Sequence, residues 1–424
     1  MNTSAKSVLF SIAAGLVLSA SAAATISVDA VNQRWPWNNL VDVDFTISGS
    51  ESSMAYRIEL SATYNNGANK VYANSYLTEP VVEGDGQKRV TWNLGDDCPE
   101  LKSDDFTVSV TATPLTDNTI PVYMVIDLSS GPQSKKYPVR YTTKAPDLSD
   151  DKCRTTEMWL RRIKAGTEFT MGGTLAGVTT LPSSKQMKLT QDFYMAIFET
   201  TQQQWAMVYN NEWPSFYSNE TYRATRPVES ITKGTVRGRL YYCPWPQNSE
   251  ANPGTFVKKM QDRTGLATFD LPTAAQWEYA ALGGAASGSY GSYNLSGGIS
   301  QSTMINFARC TQNGGGMADG DIGISEINGD KTGTMTVGHY KPNDYGLYDM
   351  LGNVSEMVLD RYSSNWPDNV PESDYKGPEA GYDNTTKGTP YSNGASYQTL
   401  RYHNKLGDTS SDKSVGARFC VTLD

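Results

Sequence analysis

The sequence predicts an all-β sandwich followed by an α+β domain. Three observations predict it. Apolar and polar residues alternate across residues 26–141. A short acidic stretch with a proline, residues 144–152, interrupts the chain. Beyond it, helix-capping signals are spaced between long segments rich in Gly, Ser, Asn and Tyr.

The first residues read as a secretory signal over residues 1–24. A short basic start ends at Lys6, an apolar run follows, and Ala20-Ser-Ala22 or Ala22-Ala-Ala24 supplies the cleavage site. About 14 apolar residues are too few to span a bilayer. The expected protein is therefore exported, to the medium, the periplasm or the cell surface, with no transmembrane segment.

Residues 25–143 are assigned to the sandwich. Val41, Val43, Phe45 and Ile47 alternate with Asp42, Asp44 and Thr46, which puts one face on a core and the other in water. Tyr56, Ile58, Leu60 and Ala62 repeat the pattern, as do Val90, Trp92 and Leu94. Phe106, Val108 and Val110 follow, then Met124, Ile126 and Leu128, then Tyr137, Val139 and Tyr141. Turn signals such as Asn65-Asn-Gly67 and Ser130-Gly-Pro132 separate the runs. Short strands at this spacing imply an immunoglobulin-like sandwich. Trp35 and Trp37 either offer an aromatic ligand platform or, more commonly, close one end of the core.

Residues 144–152 form the linker and residues 153–424 the second domain. Thr201 with Gln204, and Thr273 with Gln276, predict two capping boxes, with Trp205, Val208, Trp277, Ala280 and Ala281 as buried stripes. A third helix is expected from Thr255 to a stop at Gly265, and ordered loop from Ala285 onward.

Composition excludes several functions. The net charge is −9 and no Lys or Arg run occurs, which argues against nucleic acid. The five cysteines (Cys98, Cys153, Cys243, Cys310, Cys420) permit one or two disulfides and leave at least one unpaired. None is spaced as CxxC, so a zinc ribbon or a thioredoxin-type pair is unsupported. His339 and His403 are the only histidines, too few for His-rich metal chemistry.

An ordered set of motifs carries a specific resemblance. It runs from Ile163-Lys-Ala-Gly-Thr-Glu-Phe-Thr-Met-Gly-Gly173 through Phe198-Glu-Thr-Thr201 and Arg226-Pro-Val228. Leu271-Pro-Thr-Ala-Ala-Gln-Trp-Glu-Tyr-Ala280 follows, then Tyr345-Gly-Leu-Tyr-Asp-Met-Leu-Gly-Asn-Val-Ser-Glu356. Asn393-Gly-Ala-Ser-Tyr397 and Gly416-Ala-Arg418 close it. The set resembles the formylglycine-generating enzyme, or sulfatase-modifying factor, family over residues 159–421. That resemblance implies a C-type-lectin-like fold for the second domain.

Asp349 and Glu356 are hard oxygen donors flanking a glycine, which fits either a Ca²⁺ site or a turn in which Glu356 caps amides. The resemblance implies the first, with Asp349, Glu356 and the carbonyls of Gly352 and Val354 as ligands. The tryptophan usual in the family at position 355 is a serine here. A second calcium site fits poorly: Asn306 matches, but Gly329-Asp-Lys331 is out of step, and Asp319-Gly-Asp-Ile-Gly-Ile324 lacks the EF-hand glycine.

The resemblance also implies copper(I) between two cysteines placed after Gly394-Ala-Ser-Tyr397. Those positions hold Thr399 and Asn404, and neither side chain suits a soft ion, so copper is not expected. No catalytic residue is assigned. No nucleophile elbow, phosphate loop or paired carboxylate motif replaces the missing chemistry. The expected function is a non-catalytic binding or scaffold module for a protein, peptide or glycan ligand. Tyr397, Thr399, Arg401 and Asn404 form its recognition loop, beside Tyr402 and His403. The alternatives are a formylglycine-generating oxidase with a relocated cysteine and a target-binding protein diversified by a retroelement.

Overall fold

A computed structural model describes residues 24–34, 39–49, 54–77, 80–99, 101–103, 105–115, 121–174, 177–239, 241, 244–284, 289–290, 293–294, 301–314, 332–367 and 370–423. Residues 1–23 of the expected secretory signal, Trp35, Trp37, Cys243 and the segments 319–324 and 329–331 lie outside the described residues. Two compact units are formed, one by residues up to 122 with 139–143, the other by 123–138 with 144–423.

The first unit is a two-sheet sandwich. Strands β1 (Thr25–Gln33), β2 (Leu40–Ser48), β3 (Ala55–Tyr64), β4 (Asn69–Tyr72), β5 (Val81–Glu83), β6 (Gly86–Asn93) and β7 (Thr107–Leu115) build it, with a single turn α1 (Leu94–Asp97) after β6. One sheet runs β1-β2-β6, and in the other β3 is flanked by β7 and by β4 and β5. The alternation read from the sequence holds: Val43, Phe45, Ile47, Ile58, Leu60, Val90, Trp92 and Phe106 share one buried core. Asp42 departs from it. Expected in water, it is buried, and Arg34 at 2.7 Å and the Thr91 hydroxyl at 2.8 Å satisfy its carboxylate.

The boundary needs one correction. Residues 124–128 were expected in the sandwich, but β8 (Tyr123–Asp127) pairs antiparallel with β10 (Glu157–Ile163) of the second unit, Trp159 opposite Val125. Tyr123, Met124, Val125 and Ile126 are all buried, so this strand has no wet face. Between β8 and β10, β9 (Val139–Thr142) returns to the first unit, and α2 (Lys152–Thr155) ends the stretch read as linker.

The second unit adds β11 (Glu168–Gly172), β12 (Ser184–Lys188), β13 (Phe193–Ala196), α3 (Gln202–Val208), α4 (Lys233–Val236), α5 (Phe256–Thr264), β14 (Phe269–Asp270) and α6 (Ala274–Ala281). Then come β15 (Ser289–Tyr290), β16 (Tyr293–Asn294), α7 (Gln301–Met304), β17 (Ser355–Arg361), β18 (Asp383–Lys387), β19 (Asn404–Gly407), β20 (Val415–Ala417) and β21 (Cys420–Thr422). One sheet contains the run β14-β21-β13-β10-β8, and a second runs β19-β18-β17-β20. This is an α+β fold, mostly strand and loop, and the second sheet lies where only loop was expected.

The helices begin where the sequence places them. Gln204 N–H donates to the Thr201 hydroxyl at 3.2 Å while Thr201 N–H donates to the Gln204 side chain at 3.0 Å. Thr273 and Gln276 do the same at 3.1 and 3.0 Å. Helix α5 ends at Gly265, whose φ of 75° suits glycine. All eight residues of α6 are buried, so it is a core helix with no polar face. Among the described residues no helix is long and apolar enough to cross a membrane.

Truncating Phe45 to alanine should lower the stability of the first unit by roughly 3–5 kcal/mol, since its fully buried ring leaves a cavity. Urea unfolding of wild type and variant measures this. A loss below about 1 kcal/mol would show that the sandwich core is not packed around Phe45.

Candidate functional site

The segment 349–356 lies at the start of β17 and is held by residues from distant parts of the chain. Asp349 and Asn353 adopt left-handed backbone, φ 56° and 54°. Gly352 between them has φ 77°, and a Cβ there would stand 2.3 Å from the Arg309 carbonyl oxygen, so only glycine fits. Asn353 is fully buried, and its side chain donates to Glu199 at 2.6 Å and accepts from Met335 N–H at 2.8 Å.

Glu356 sits at the centre of this arrangement. The Arg418 guanidinium grips it with Nε at 3.0 Å and Nη2 at 2.8 Å, and Trp277 Nε1 donates to it at 2.6 Å. Arg418 also donates to the carbonyls of Ala196 at 2.9 Å and Tyr348 at 2.7 Å. Glu199 accepts from Val354 N–H at 2.9 Å. Its carboxyl is pushed well above the usual range by burial, then by the charges of Asp349 and Glu356. Burial likewise lifts Asp349 to about 6. Three buried carboxyl groups thus feel the Arg418 charge, which is bonded to Glu356, and Arg154 also acts on Asp349.

The expected calcium ligands can be weighed against this geometry. Asp349 accepts from Gly338 N–H at 2.6 Å through Oδ2, while its Oδ1 is buried and has no partner. An orphaned carboxylate oxygen in an excess of negative charge fits a hard cation. Glu356 would share its oxygens with Arg418 and Trp277. Among the described residues no three His, Cys, Asp or Glu side chains are grouped to hold a metal, so carbonyls such as those of Gly352 and Val354 have to complete the set. Ser355, in the place of the tryptophan, donates to the Gly388 carbonyl at 2.6 Å.

The C-terminal loop divides. Tyr397 is 44% exposed, Arg401 and Asn404 are half-buried, and Thr399 is buried. Thr399 N–H donates to Thr389 Oγ1 at 3.1 Å, and its own hydroxyl accepts from Arg401 N–H at 3.1 Å. Asn404 donates to the Tyr402 hydroxyl at 2.7 Å, and Arg401 donates to the Gly172 carbonyl. The two positions where thiolates would sit are therefore a hydroxyl and an amide already bound to their neighbours. Cys98, Cys153, Cys310 and Cys420 are free thiols, so none of these four forms the disulfides the count allowed. Burial raises Cys153 to about 11 and also raises Cys310 and Cys420, the opposite of what a copper-binding thiolate needs.

Several site residues escaped the sequence reading. Glu199 and Arg418 belong to motifs quoted above, but nothing local shows that they meet. Asp360, on β17, and His403, in the loop, are a second pair of buried titratable groups. Burial lifts Asp360 to about 6, and burial with the nearby Lys387 charge lowers His403 to about 4. Lys387 itself is fully buried and paired with Glu278 at 2.7 Å.

Comparison with known proteins identifies the family. The family described as "Sulfatase-modifying factor enzyme 1-like domain" matches residues 146–422, well over half of the chain. The chaperone protein LppX of Paenibacillus barcinonensis is 30% identical over 210 residues, 45% of this chain and 70% of that protein. The formylglycine-generating enzyme of Thermomonospora curvata is 36% identical over 159 residues, 36% of this chain and only 45% of the enzyme. Among solved structures, Treponema denticola variable protein 1 is 20% identical, covering 63% of this chain and 95% of its own, with a TM-score of 0.43.

Asp360 and His403 should pull stability in opposite directions over one pH window. A carboxyl raised from 3.8 to about 6 contributes most at low pH, and that contribution is lost as pH rises through 6. An imidazole lowered from 6.5 to about 4 contributes at neutral pH and loses its contribution as pH falls toward 4. Asp360→Asn should therefore gain stability more steeply than wild type from pH 4 to 6.5. His403→Phe should do the reverse. Urea unfolding across that range is the check, and parallel profiles for all three proteins would refute the assignment.

Proposed function

We propose, for a chain that belongs to the sulfatase-modifying factor enzyme 1-like family, a non-catalytic role as an exported binding or scaffold module. The observation that carries it is the pair Thr399 and Asn404. The resemblance places copper-binding thiols there, and this chain has a hydroxyl and an amide engaged by Thr389, Arg401 and Tyr402. The ligand surface is the C-terminal loop, with exposed Tyr397 and the polar groups of Arg401 and Asn404. The relative from Paenibacillus barcinonensis is named a chaperone, and a protein-binding role is consistent with that name. Export rests on the basic start, apolar run and alanine-rich cleavage site of residues 1–24.

A calcium ion belongs to this proposal as a structural element. It is held by Asp349 and Glu356 with the carbonyls of Gly352 and Val354, and it neutralises the carboxylates buried with Glu199. What supports it is the partnerless Oδ1 of Asp349.

Calcium at 100-fold its dissociation constant should stabilise the second unit by about 2.7 kcal/mol. Asp349→Ala should abolish the gain. A wild-type melting temperature indifferent to chelator would remove the ion from the proposal. For the catalytic question, a Cys-x-Pro-x-Arg peptide with copper and oxygen should give no turnover. Turnover that disappears when Cys310 or Cys420 is replaced would overturn the non-catalytic reading in favour of an oxidase.

A further inference from the structure

Two cations of the second unit stand without an acid. Arg401, in the C-terminal loop, donates through Nη1 to the Gly172 carbonyl and is half-buried. Lys185, on β12, lies over the Trp366 ring with its ammonium nitrogen 5.4 Å from the centroid. Among the described residues neither is at ion-pair distance from a carboxylate. Glu278 accepts from Gly172 N–H at 2.9 Å, but Lys387 at 2.7 Å already neutralises it. The chain carries 45 acidic and 36 basic side chains, so the lack of a partner is not a shortage of acids.

Both cations belong to one run of contacts around Gly172. The carbonyl of Gly172 binds Arg401, and a Cβ on it would stand 2.8 Å from the Trp366 ring that carries Lys185. Trp366 is fixed in turn, its indole donating to the Ser183 carbonyl at 2.8 Å. Tyr397, exposed in the same loop as Arg401, lies against Gly177.

The Arg401 guanidinium is held in place. Its backbone N–H donates to the Thr399 hydroxyl at 3.1 Å, and Gly173, with φ 113°, leaves the room that Nη1 occupies. With Nη1 committed to Gly172, Nε and Nη2 have no partner among the described residues and are open to water. This is the edge by which Arg418 holds Glu356, with Nε at 3.0 Å and Nη2 at 2.8 Å. Two parallel N–H groups match the two oxygens of a carboxylate. Water can bond to that edge, but it brings no charge to set against the guanidinium. A donor pair fixed beforehand also costs less to order on binding.

Net charge narrows the source of the carboxylate. At −9 the chain repels a polyanion, whether nucleic acid or a polymer of uronate sugars. One carboxylate among neutral groups escapes that repulsion, and a peptide offers it with an apolar neighbour for Tyr397.

We propose that Arg401, with Lys185 nearby, is a subsite for a single carboxylate of a peptide ligand, an aspartate or glutamate side chain whose neighbour packs on Tyr397. This rests on the C-terminal loop being the ligand surface, and it names what that surface selects.

The test titrates the full chain with acetyl-Phe-Glu-Phe-amide and acetyl-Phe-Gln-Phe-amide, following the ¹⁵N resonance of Arg401 Nε and measuring affinity by calorimetry. The glutamate peptide should move the resonance saturably, and the glutamine peptide should bind roughly tenfold more weakly. Arg401→Gln should bring the two affinities together, and Lys185→Gln should narrow their difference. If Arg401→Gln fails to fold, the two peptides on wild type decide alone. A glutamate preference that survives Arg401→Gln would overturn the proposal. Equal affinities on wild type, both lost in Tyr397→Ala, would overturn the subsite and leave the loop as the ligand surface. Binding of neither peptide would overturn both. A trigalacturonate that moves the Arg401 resonance when neither peptide does would overturn the peptide as ligand in favour of an acidic glycan.

Discussion

The pairing of Glu356 with Arg418 is the constraint on which the second unit depends. Both side chains are fully buried, and a buried ion stripped of its partner costs several kcal/mol. Arg418 joins what regular structure leaves apart. Its guanidinium reaches Glu356 on β17, the carbonyl of Ala196 at the end of β13 and the carbonyl of Tyr348. Trp277 brings helix α6 to the same carboxylate. With so many residues in loops, order has to come from side chains, and this network supplies it.

The same network explains how a family signature can persist whatever stands at positions 399 and 404. Glu199, Trp277, Asn353, Glu356 and Arg418 are held by one another and by backbone groups, so they specify a shape. Thr399 and Asn404 lie outside that set. Their side chains bond to near neighbours in sequence and not to that network. The fold and the positions where the family resemblance implies copper ligands thus rest on different residues of one domain.

What could be read in the sequence was local. The boxes at Thr201 and Thr273 were legible because donor and acceptor stand three residues apart. The sandwich strands were legible because alternation is a property of each strand by itself. Residues 123–127 were misplaced because their partner, β10, begins thirty residues later and both faces of the strand are buried. Asp349 and Glu356 stood out as oxygen donors, but the guanidinium that claims Glu356 is 62 residues away. His403 was legible only as a polar residue beside the loop and Asp360 not at all, since a missing hydrogen bond is visible only when every neighbour is in place.

The position of β21 in its sheet has a consequence for the order in which the protein can form. This strand lies between β13 and β14, yet it follows both in the chain by more than a hundred residues. Until residues 418–422 leave the ribosome, β13 and β14 have no common neighbour and Glu356 has no guanidinium. All residues of the first unit have been made by position 143. The sandwich can therefore fold while the rest is still being synthesised, whereas the second unit has to wait, open and with its carboxylates wet, for its last strand.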